Sequence, residues 1–340
     1  MPTLNERAWK LCDAMVAEAD RLGIAVHTLD CGTRLIDCGV KAAGGIEAGR
    51  RLAEVCLAGL GTVVVEKSGG QLLREYEQFG QTESLADDFE HISPFASPDP
   101  LVRVATDQPV AACMASQYAG WEVKGEKFFA MGSGPMRAAA CREELFNDIG
   151  QCEKPEACVG VLETGKLPPD SVCVDLAEKC GIAPERLTLC LARTASPAGT
   201  LQIVARSVET ALHKLHVLGF DLNRVIQGSG SAPLPPVAAD DLAAIGWTND
   251  AILYGAIVQL SVSGDDESLK EIGPRVPSNS SPDYGRPFAE IFAGYNNDFY
   301  KIDPHLFSPA VVQFRNMDTG STFSFGQTAP QVLNKSFAKK

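Results

Sequence analysis

The sequence predicts a mixed α/β fold, either α/β or α+β, organised as two lobes. Helix-like and strand-like stretches interleave from one end of the chain to the other, which is typical of sheets covered by helices. A length of 340 residues corresponds to two domains, or one large domain with two lobes, at about 100–200 residues per domain. The hydrophobic share of 45% and the charged share of 21% are those of a folded globular protein.

The first part of the chain predicts two helices and three strands. The pattern Thr3-x-x-Glu6 is a capping box that opens a helix, and Gly23 ends the apolar periodicity that follows. A glycine-rich turn at 39–49 leads into the second helix. The predicted elements are a helix over 4–22, strands over 24–29 and 34–38, a helix over 46–57, a strand over 61–67 and an acidic surface loop over 83–100.

The rest of the chain continues the alternation. A Gly-Ser-Gly-Pro turn opens a helix with Pro135 at its first position, where the missing N–H costs nothing. The longest predicted element is one continuous helix over 199–218. The predicted elements are strands over 102–106, 157–163 and 187–192, helices over 111–120, 171–181, 199–218 and near 239–245, and a turn that opens a helix within 131–146.

Charge and composition exclude several classes of protein. With 43 acidic and 30 basic residues the net charge is −13, which disfavours nucleic-acid binding. The longest apolar stretch, 55–65, is too short to span a bilayer, and the N-terminus lacks the apolar region of a signal peptide. The eleven cysteines form no C-x-x-C pair. We therefore expect a cytoplasmic protein with structural thiols, no metal site and no membrane partner.

One nucleotide-binding pattern is present in incomplete form. Residues 160–167 fit G-x-x-x-x-G-K, but Leu167 stands where a magnesium-binding hydroxyl is needed. Pro168 and Pro169 follow where a phosphate-binding helix should already be running. The sequence thus disfavours nucleotide hydrolysis.

A narrow polar stripe runs along the predicted helix 199–218. At 100° per residue, Gln202, Arg206, Glu209 and His213 share one sector, separate from a broad apolar face. A solvated face with a surface Arg–Glu pair would explain this pattern. However, Lys214 is the only other charged residue on the helix, so we expect a partly buried pair. An arginine that keeps a buried carboxylate ionised while burial raises its pKa is suited to general acid/base chemistry.

Two glycine-rich turns precede predicted helices, at 37–49 and 131–140. Exposed N–H groups at a helix start can bind an anion or a carbonyl, and Lys41 and Arg137 lie beside these turns. Tight turns and close packing are the alternative explanation.

The chain contains the long segments 36–61, GSGPMRA at 132–138, 195–221, VPSNSSPDYGRPFAEIF at 276–292 and DFYKIDPHLFSPA at 298–310. Together they resemble one family, the methenyltetrahydromethanopterin cyclohydrolases. They appear in the family's order, span nearly the whole chain, and match no generic nucleotide or hydrolase pattern. The acidic, cysteine-rich form and the YGAIV segment at 254–258 indicate a bacterial branch.

The resemblance implies a single catalytic chain with two α/β lobes, roughly 1–150 and 151–340 with segments crossing between them, and a pterin cleft between the lobes. It implies a homotrimer of methylotrophic one-carbon metabolism that hydrolyses methenyltetrahydromethanopterin reversibly to the 5-formyl compound, without metal or cofactor. The family's catalytic Arg-x-x-Glu falls on Arg206 and Glu209. The candidate substrate-binding residues are Lys41, Gly44, Gly45, Glu47, Ser133, Gly134, Arg137, Thr194, Ser196, Gln202, His213 and Tyr254.

Two other functions remain open from the sequence. One is a non-catalytic protein that binds the pterin carrier, and the other is a different one-carbon transfer enzyme on the same scaffold. The presence of both Arg206 and Glu209 favours the hydrolase.

Overall fold

A computed structural model describes residues 2–67, 71–72, 99–296, 298 and 301–338 of the chain. The loop predicted at 83–100 lies, up to residue 98, outside the described residues. The chain divides into two compact units, each built from two stretches: unit 1 comprises Met1–Gly61 and Val110–Ile203, and unit 2 comprises Thr62–Pro109 and Val204–Lys340.

The strands form two mixed sheets, which together with the helices confirm the mixed α/β class. Unit 1 holds a sheet of order β1-β2-β9-β8-β7-β6, and unit 2 holds a sheet of order β13-β12-β11-β10-β5-β3-β4. The strands are β1 Ala25–Thr28, β2 Arg34–Gly39, β3 Thr62–Lys67, β4 Gln71–Leu72, β5 Leu101–Thr106, β6 Trp121–Gly125, β7 Phe128–Ser133, β8 Cys158–Glu163, β9 Leu187–Ala192, β10 Val225–Pro233, β11 Ile257–Val262, β12 Val311–Asn316 and β13 Thr322–Gly326.

Helices flank these sheets along the chain. A π-helix occupies Val110–Gln117, where the sequence predicted an α-helix over 111–120. The α-helices are α1 Leu4–Ala17, α2 Ala19–Leu22, α3 Ile46–Cys56, α4 Met136–Ala140, α5 Leu145–Ile149, α6 Asp170–Cys180, α7 Pro197–Val204, α8 Ser207–Val217, α9 Asp241–Gly255, α10 Asp266–Ile272, α11 Phe288–Gly294 and α12 Pro330–Phe337.

The three central strands of the unit 1 sheet, β2, β9 and β8, are parallel, so their carboxyl ends meet at one edge. Strand β7 is antiparallel to β8 and therefore runs away from that edge. Helices α1 and α3 bury apolar side chains against this sheet, with Cys12, Leu52 and Val161 in one cluster. The capping box of Thr3 and Glu6 at the start of α1 is confirmed.

The predicted long helix over 199–218 is wrong, because two helices stand in its place. Helix α7 ends at Val204, and α8 begins at Ser207 after a turn that contains Arg206. The apolar periodicity runs through this turn without a glycine or proline, so no local signal marks the break. The helix predicted within 131–146 is likewise two short helices, separated where Cys141 takes a left-handed conformation with φ of 47°.

Most cysteines are buried thiols, as the sequence predicted. Burial raises the pKa of the Cys173 thiol to about 12, so it stays protonated and unreactive. The exception is a disulfide that joins Cys141 to Cys152, whose Cα atoms lie 5.5 Å apart. The prediction of structural thiols was therefore wrong for these two cysteines. Among the described helices, none combines the length and apolar character needed to cross a bilayer.

Candidate active site

The first turn of α8 places Arg206 and Glu209 in the interior of the protein. Arg206 caps the helix, Glu209 lies in its first turn, and their exposed fractions are 8% and 6%. The burial expected for these two charges is therefore confirmed. The partial positive charge of a helix N-terminus stabilises an ionised carboxylate in this turn. A buried carboxylate beside an arginine can accept and return a proton.

Close packing against β10 fixes the position of this turn. A Cβ atom added to Gly230 would lie 2.4 Å from the Ser207 Oγ, and one added to Gly228 would lie 2.7 Å from a Val208 methyl group. Two glycines in the strand thus let the start of α8 approach the sheet more closely than any side chain would permit. The Arg206 carbonyl accepts hydrogen bonds from the backbone N–H and the hydroxyl of Thr210, which stabilise the new helix start.

The polar stripe expected on one helix is therefore divided. Gln202 belongs to α7, while Glu209 and His213 lie one turn apart on α8, with His213 half-buried. Gln202 therefore does not share a helix with Glu209 and His213.

The last turn of α8 carries Lys214, a buried charge that the sequence analysis assigned no role. Its Nζ donates to the His305 carbonyl at 2.5 Å and to the Ser280 Oγ at 3.3 Å. Burial lowers the pKa of Lys214 to about 8, with the Asp303 charge opposing this shift and the Arg275 charge adding to it. Lys214 thus fastens the segments around 280 and 305 to α8.

The glycine-rich turn after β2 already holds an anion of its own. The fully buried Asp37 carboxylate accepts backbone hydrogen bonds at 3.0, 2.6, 2.8 and 3.0 Å from Gly39, Val40, Lys41 and Ala42. These N–H groups are therefore occupied by the chain itself. The anion-binding geometry predicted for this turn exists, and in this structure its ligand is Asp37.

The other candidates in this turn have distinct surroundings. Lys41 is exposed, and Gly44 has φ of 61° with its N–H bonded to the Gly23 carbonyl. Gly45 caps α3 and has open space around it. Glu47 forms ion pairs with Arg50 and Arg51. Burial pulls the pKa of Glu47 upward, but the Arg50 hydrogen bond and the arginine charges outweigh it and leave the pKa below its ordinary value.

The turn after β9 lies at the same edge of the sheet and packs against the turn after β2. Ser196 caps α7 by accepting from the Gly199 N–H at 3.0 Å, and a Cβ atom on Gly39 would lie 2.4 Å from its hydroxyl. Thr194 donates its hydroxyl hydrogen to the carboxylate of Glu163, the last residue of β8. Sequence analysis missed Glu163, although a polar residue at the end of a buried strand is a recognisable signal for this edge.

Ser133 and Gln202 meet deeper inside unit 1. The Cys56 Sγ lies 3.8 Å from the Ser133 Oγ and 3.7 Å from the Gln202 Oε1, and all three side chains are buried. Gly134, with φ of 86°, packs its Cα against the backbone of β8. Ser133 pairs with Val161, two residues before the end of β8, and the chain continues from there away from the carboxyl edge.

Arg137 and Tyr254 are each engaged by internal partners. The Arg137 guanidinium binds both carboxylate oxygens of Glu143 at 2.8 and 2.7 Å, donates to the Met114 carbonyl, and stacks on Tyr118. The fully buried Tyr254 donates its hydroxyl to the Arg286 carbonyl at 2.5 Å. Burial raises the pKa of Tyr254 above its ordinary value. Both geometries favour structural roles.

In the part of the chain that the structure describes, no three His, Cys, Asp or Glu side chains lie close enough together to hold a metal ion. The candidate chemistry therefore rests on Arg206 and Glu209 in unit 2, and separately on the carboxyl edge of the unit 1 sheet.

Comparison with known proteins identifies one family. The family model described as Cyclohydrolase (MCH) matches residues 3–75 and 84–337. The methenyltetrahydromethanopterin cyclohydrolase of Xanthobacter autotrophicus is 45% identical over 96% of this chain and 90% of its own. The protein of the same name from Methylobacillus flagellatus is 44% identical over 99% and 95%. That from Methanospirillum hungatei is 38% identical over 99% of both chains.

Proposed function

The chain belongs to the methenyltetrahydromethanopterin cyclohydrolase family, and from this premise we propose that it catalyses the reversible hydrolysis of 5,10-methenyltetrahydromethanopterin to 5-formyltetrahydromethanopterin. The family sequence match, over nearly the full length, is the observation that carries this function. The reaction belongs to one-carbon metabolism, including that of methylotrophs.

The substrate determines what the protein must supply. Its methenyl carbon joins two nitrogens as a cationic amidinium and is already electrophilic, so no Lewis acid is required to activate it. Water adds to this carbon and loses a proton. The bond from carbon to the arylamine nitrogen then breaks, that nitrogen takes up a proton, and the hydroxyl loses its own to leave the formyl group. One base that becomes an acid can serve both transfers.

Glu209 is the residue proposed for this relay. It accepts the proton from the attacking water and returns it to the departing nitrogen. Its place in the first turn of α8 supports this assignment, because the partial positive charge of a helix N-terminus favours a carboxylate there and burial limits competing water. A buried carboxylate is also well suited to stabilise the cationic substrate.

Arg206 is the proposed orienting partner of Glu209. It is buried three residues earlier, at the cap of the same helix, so the two side chains share one rigid support. In this proposal, the positive charge of Arg206 favours the carboxylate form of its partner.

The remaining expectations stand as parts of this proposal. Substrate contacts are assigned to the carboxyl edge of unit 1, with Thr194 and Lys41 as polar groups. His213, half-buried one turn beyond Glu209, is the candidate contact from α8. The enzyme is proposed to act in the cytoplasm as a homotrimer, without a metal or cofactor.

An optical assay tests the function directly. The methenyl carrier has a conjugated chromophore that absorbs in the near ultraviolet, and hydrolysis removes it. Purified protein should bleach this absorbance at catalytic concentration. Binding without bleaching would identify a carrier-binding protein, and no binding at all would point to another one-carbon substrate.

A further inference from the structure

The disulfide between Cys141 and Cys152 lies at the surface of unit 1. Both residues are exposed, and their Cα atoms are 5.5 Å apart, a normal distance for a disulfide. The other nine cysteines are free thiols, and all of them are buried except the half-buried Cys31. Thiol–disulfide exchange requires a thiolate to approach one sulfur of the bond. By its exposure, this disulfide is open to exchange, while the buried thiols are shielded from it.

The carboxylate that follows the first of these cysteines holds a buried arginine. Glu143, two residues after Cys141, binds the Arg137 guanidinium with both oxygens, at 2.8 and 2.7 Å. Arg137 is 1% exposed and also donates to the Met114 carbonyl in the π-helix. The contact between the buried arginine and its carboxylate therefore requires the segment 141–152 to stay in place.

The carboxylate that follows the second cysteine holds the start of α1. Glu153, directly after Cys152, accepts the backbone N–H groups of Leu4 and Asn5, both at 2.9 Å. Its own N–H donates to the Ala138 carbonyl at 3.0 Å. The first N–H groups of a helix have no partner within the helix, and this carboxylate satisfies two of them. A bond that fixes Cys152 therefore also fixes the start of α1.

The segment between the two cysteines has few other anchors. Leu145 and Phe146, both in α5, are buried, and the remaining residues of 141–152 are half-buried or exposed. A helix of five residues is not stable by itself, and an exposed segment with few buried contacts opens easily. The covalent bond is therefore a main constraint on the segment and on the two carboxylates at its ends.

We propose that Cys141 and Cys152 form a reversible modification site, at which a cellular dithiol reductant opens the bond and frees the segment 141–152. Reduction then weakens the Glu143–Arg137 contact and the hold of Glu153 on α1. In a reducing compartment, disulfides are usually transient and serve catalysis or redox sensing. This redox response is independent of the proposed hydrolysis and acts on local opening of unit 1, with kcat unchanged.

The exchange proceeds by two substitutions at sulfur. A thiolate of the reductant attacks one sulfur of the Cys141–Cys152 bond, so a mixed disulfide forms and the other protein sulfur leaves as a thiolate that takes up a proton. The second thiolate of the reductant attacks the mixed disulfide and releases the second protein thiol. Two electrons pass to the protein, and the reductant ends as a disulfide. The reverse exchange with a small disulfide closes the bond again.

The first test measures how fast dithiothreitol reduces the native, full-length protein, with thiols located by alkylation and mass spectrometry. New thiols should appear at Cys141 and Cys152 at a rate within about tenfold of that for the protein unfolded in urea, because the bond is exposed. A native rate more than about a hundredfold slower would show that reduction requires unfolding, and would overturn the proposal. Protein isolated with the bond open should close it with glutathione disulfide, and failure to close would overturn the proposal as well.

The second test measures whether the bond controls the segment that it closes. Trypsin should cut after the exposed Arg142 at least about tenfold faster in the reduced protein and in C141S/C152S than in the oxidised protein, because local opening exposes the chain to the protease. C31S, which changes a half-buried thiol and keeps the disulfide, is the matched control. It should match the unsubstituted protein in both redox states. Glutathione disulfide should restore slow cleavage of the unsubstituted protein and leave C141S/C152S unaffected.

Two results of this digestion would overturn the proposal. Equal cleavage after Arg142 in the oxidised and reduced proteins would show that the bond does not hold the segment. An equal rise at cleavage sites throughout the chain would show global unfolding in place of local opening. The unsubstituted protein supplies both redox states, so these results do not depend on the folding of C141S/C152S.

Discussion

The turn after β2 and the start of α8 both gather backbone N–H groups near charged side chains, yet they use them differently. In the turn, Asp37 accepts four backbone hydrogen bonds and is fully buried. At α8, the acidic residue is Glu209, which is buried in the first helical turn, and the neighbouring Ser207 and Val208 pack against two glycines of β10. The first region uses its anion to build a turn, and the second carries the carboxylate that we propose for the proton relay. A glycine-rich turn alone therefore does not identify a ligand site.

The largest expected effect lies in the turn. Asp37→Ala leaves four N–H groups without their buried acceptor, so the free energy of unfolding should fall by about 3–5 kcal/mol. Asp37→Asn keeps one acceptor oxygen and should lose about half as much. Urea denaturation measures both. A loss below about 1 kcal/mol for the alanine variant would show that Asp37 does not build the turn.

The second glycine-rich turn, at 131–140, is also held by contacts within the chain. The disulfide between Cys141 and Cys152 closes the loop that carries Glu143, the partner of Arg137. Reduction, or Cys141→Ser, should lower the free energy of unfolding by about 2–3 kcal/mol and the melting temperature by several degrees. The kcat should not change, because Arg137 is occupied internally. If the unreduced, denatured protein contained more than nine free thiols, the disulfide between Cys141 and Cys152 would be contradicted.

At α8, the support of the first turn can be tested without touching its charges. Gly230→Ala puts a methyl group 2.4 Å from the Ser207 Oγ and should displace the turn. We expect kcat to fall about tenfold to a hundredfold, with a smaller change in KM. Gly294→Ala, with no atom within 4 Å of the added Cβ, is the matched control and should be neutral. Equal activity of the two variants would contradict the claim that packing against β10 positions the first turn of α8.

The smallest effect is expected at the other end of the same helix. Burial lowers the pKa of Lys214 to about 8, below that of an unfolded lysine, so the unfolded chain binds more protons above pH 8. This residue therefore makes the free energy of unfolding rise between about pH 8 and 10.5, and below pH 8 the full burial cost remains. Lys214→Met should flatten this slope by about 1 kcal/mol per pH unit and leave the pH dependence of kcat unchanged. If the free energy of unfolding depended on pH equally in both proteins, the lowered pKa of Lys214 would be contradicted.

Local signals in the sequence predicted much of the fold. The capping box at Thr3, the helix end at Gly181, and the buried strands β8 and β9 each depend on residues within a few positions, and the structure confirms them. No local signal marks the break at Arg206; the residues that follow it, Ser207 and Val208, pack against Gly228 and Gly230, about twenty positions along the chain.

In the candidate site too, local sequence signals predict some features, while others depend on contacts between distant residues. The sparse charge on an apolar helix was enough to single out Arg206 and Glu209, and both are buried. The role of Asp37 depends on the path of the turn that it organises, which its own sequence neighbourhood does not specify. The Glu163–Thr194 contact depends on the parallel pairing of β8 with β9. Contacts of this kind arise from topology and are not encoded in residue spacing.

The central claim is that Glu209 carries the proton in the hydrolysis of the methenyl carrier. The measurement that tests it most directly is the bleaching rate of that chromophore by Glu209→Gln, beside circular dichroism and thermal denaturation of the same sample. The variant should keep its fold and bind the carrier, while kcat falls by about 10²–10⁴-fold. A folded Glu209→Gln protein with near-normal kcat would contradict the assignment of Glu209 as the relay.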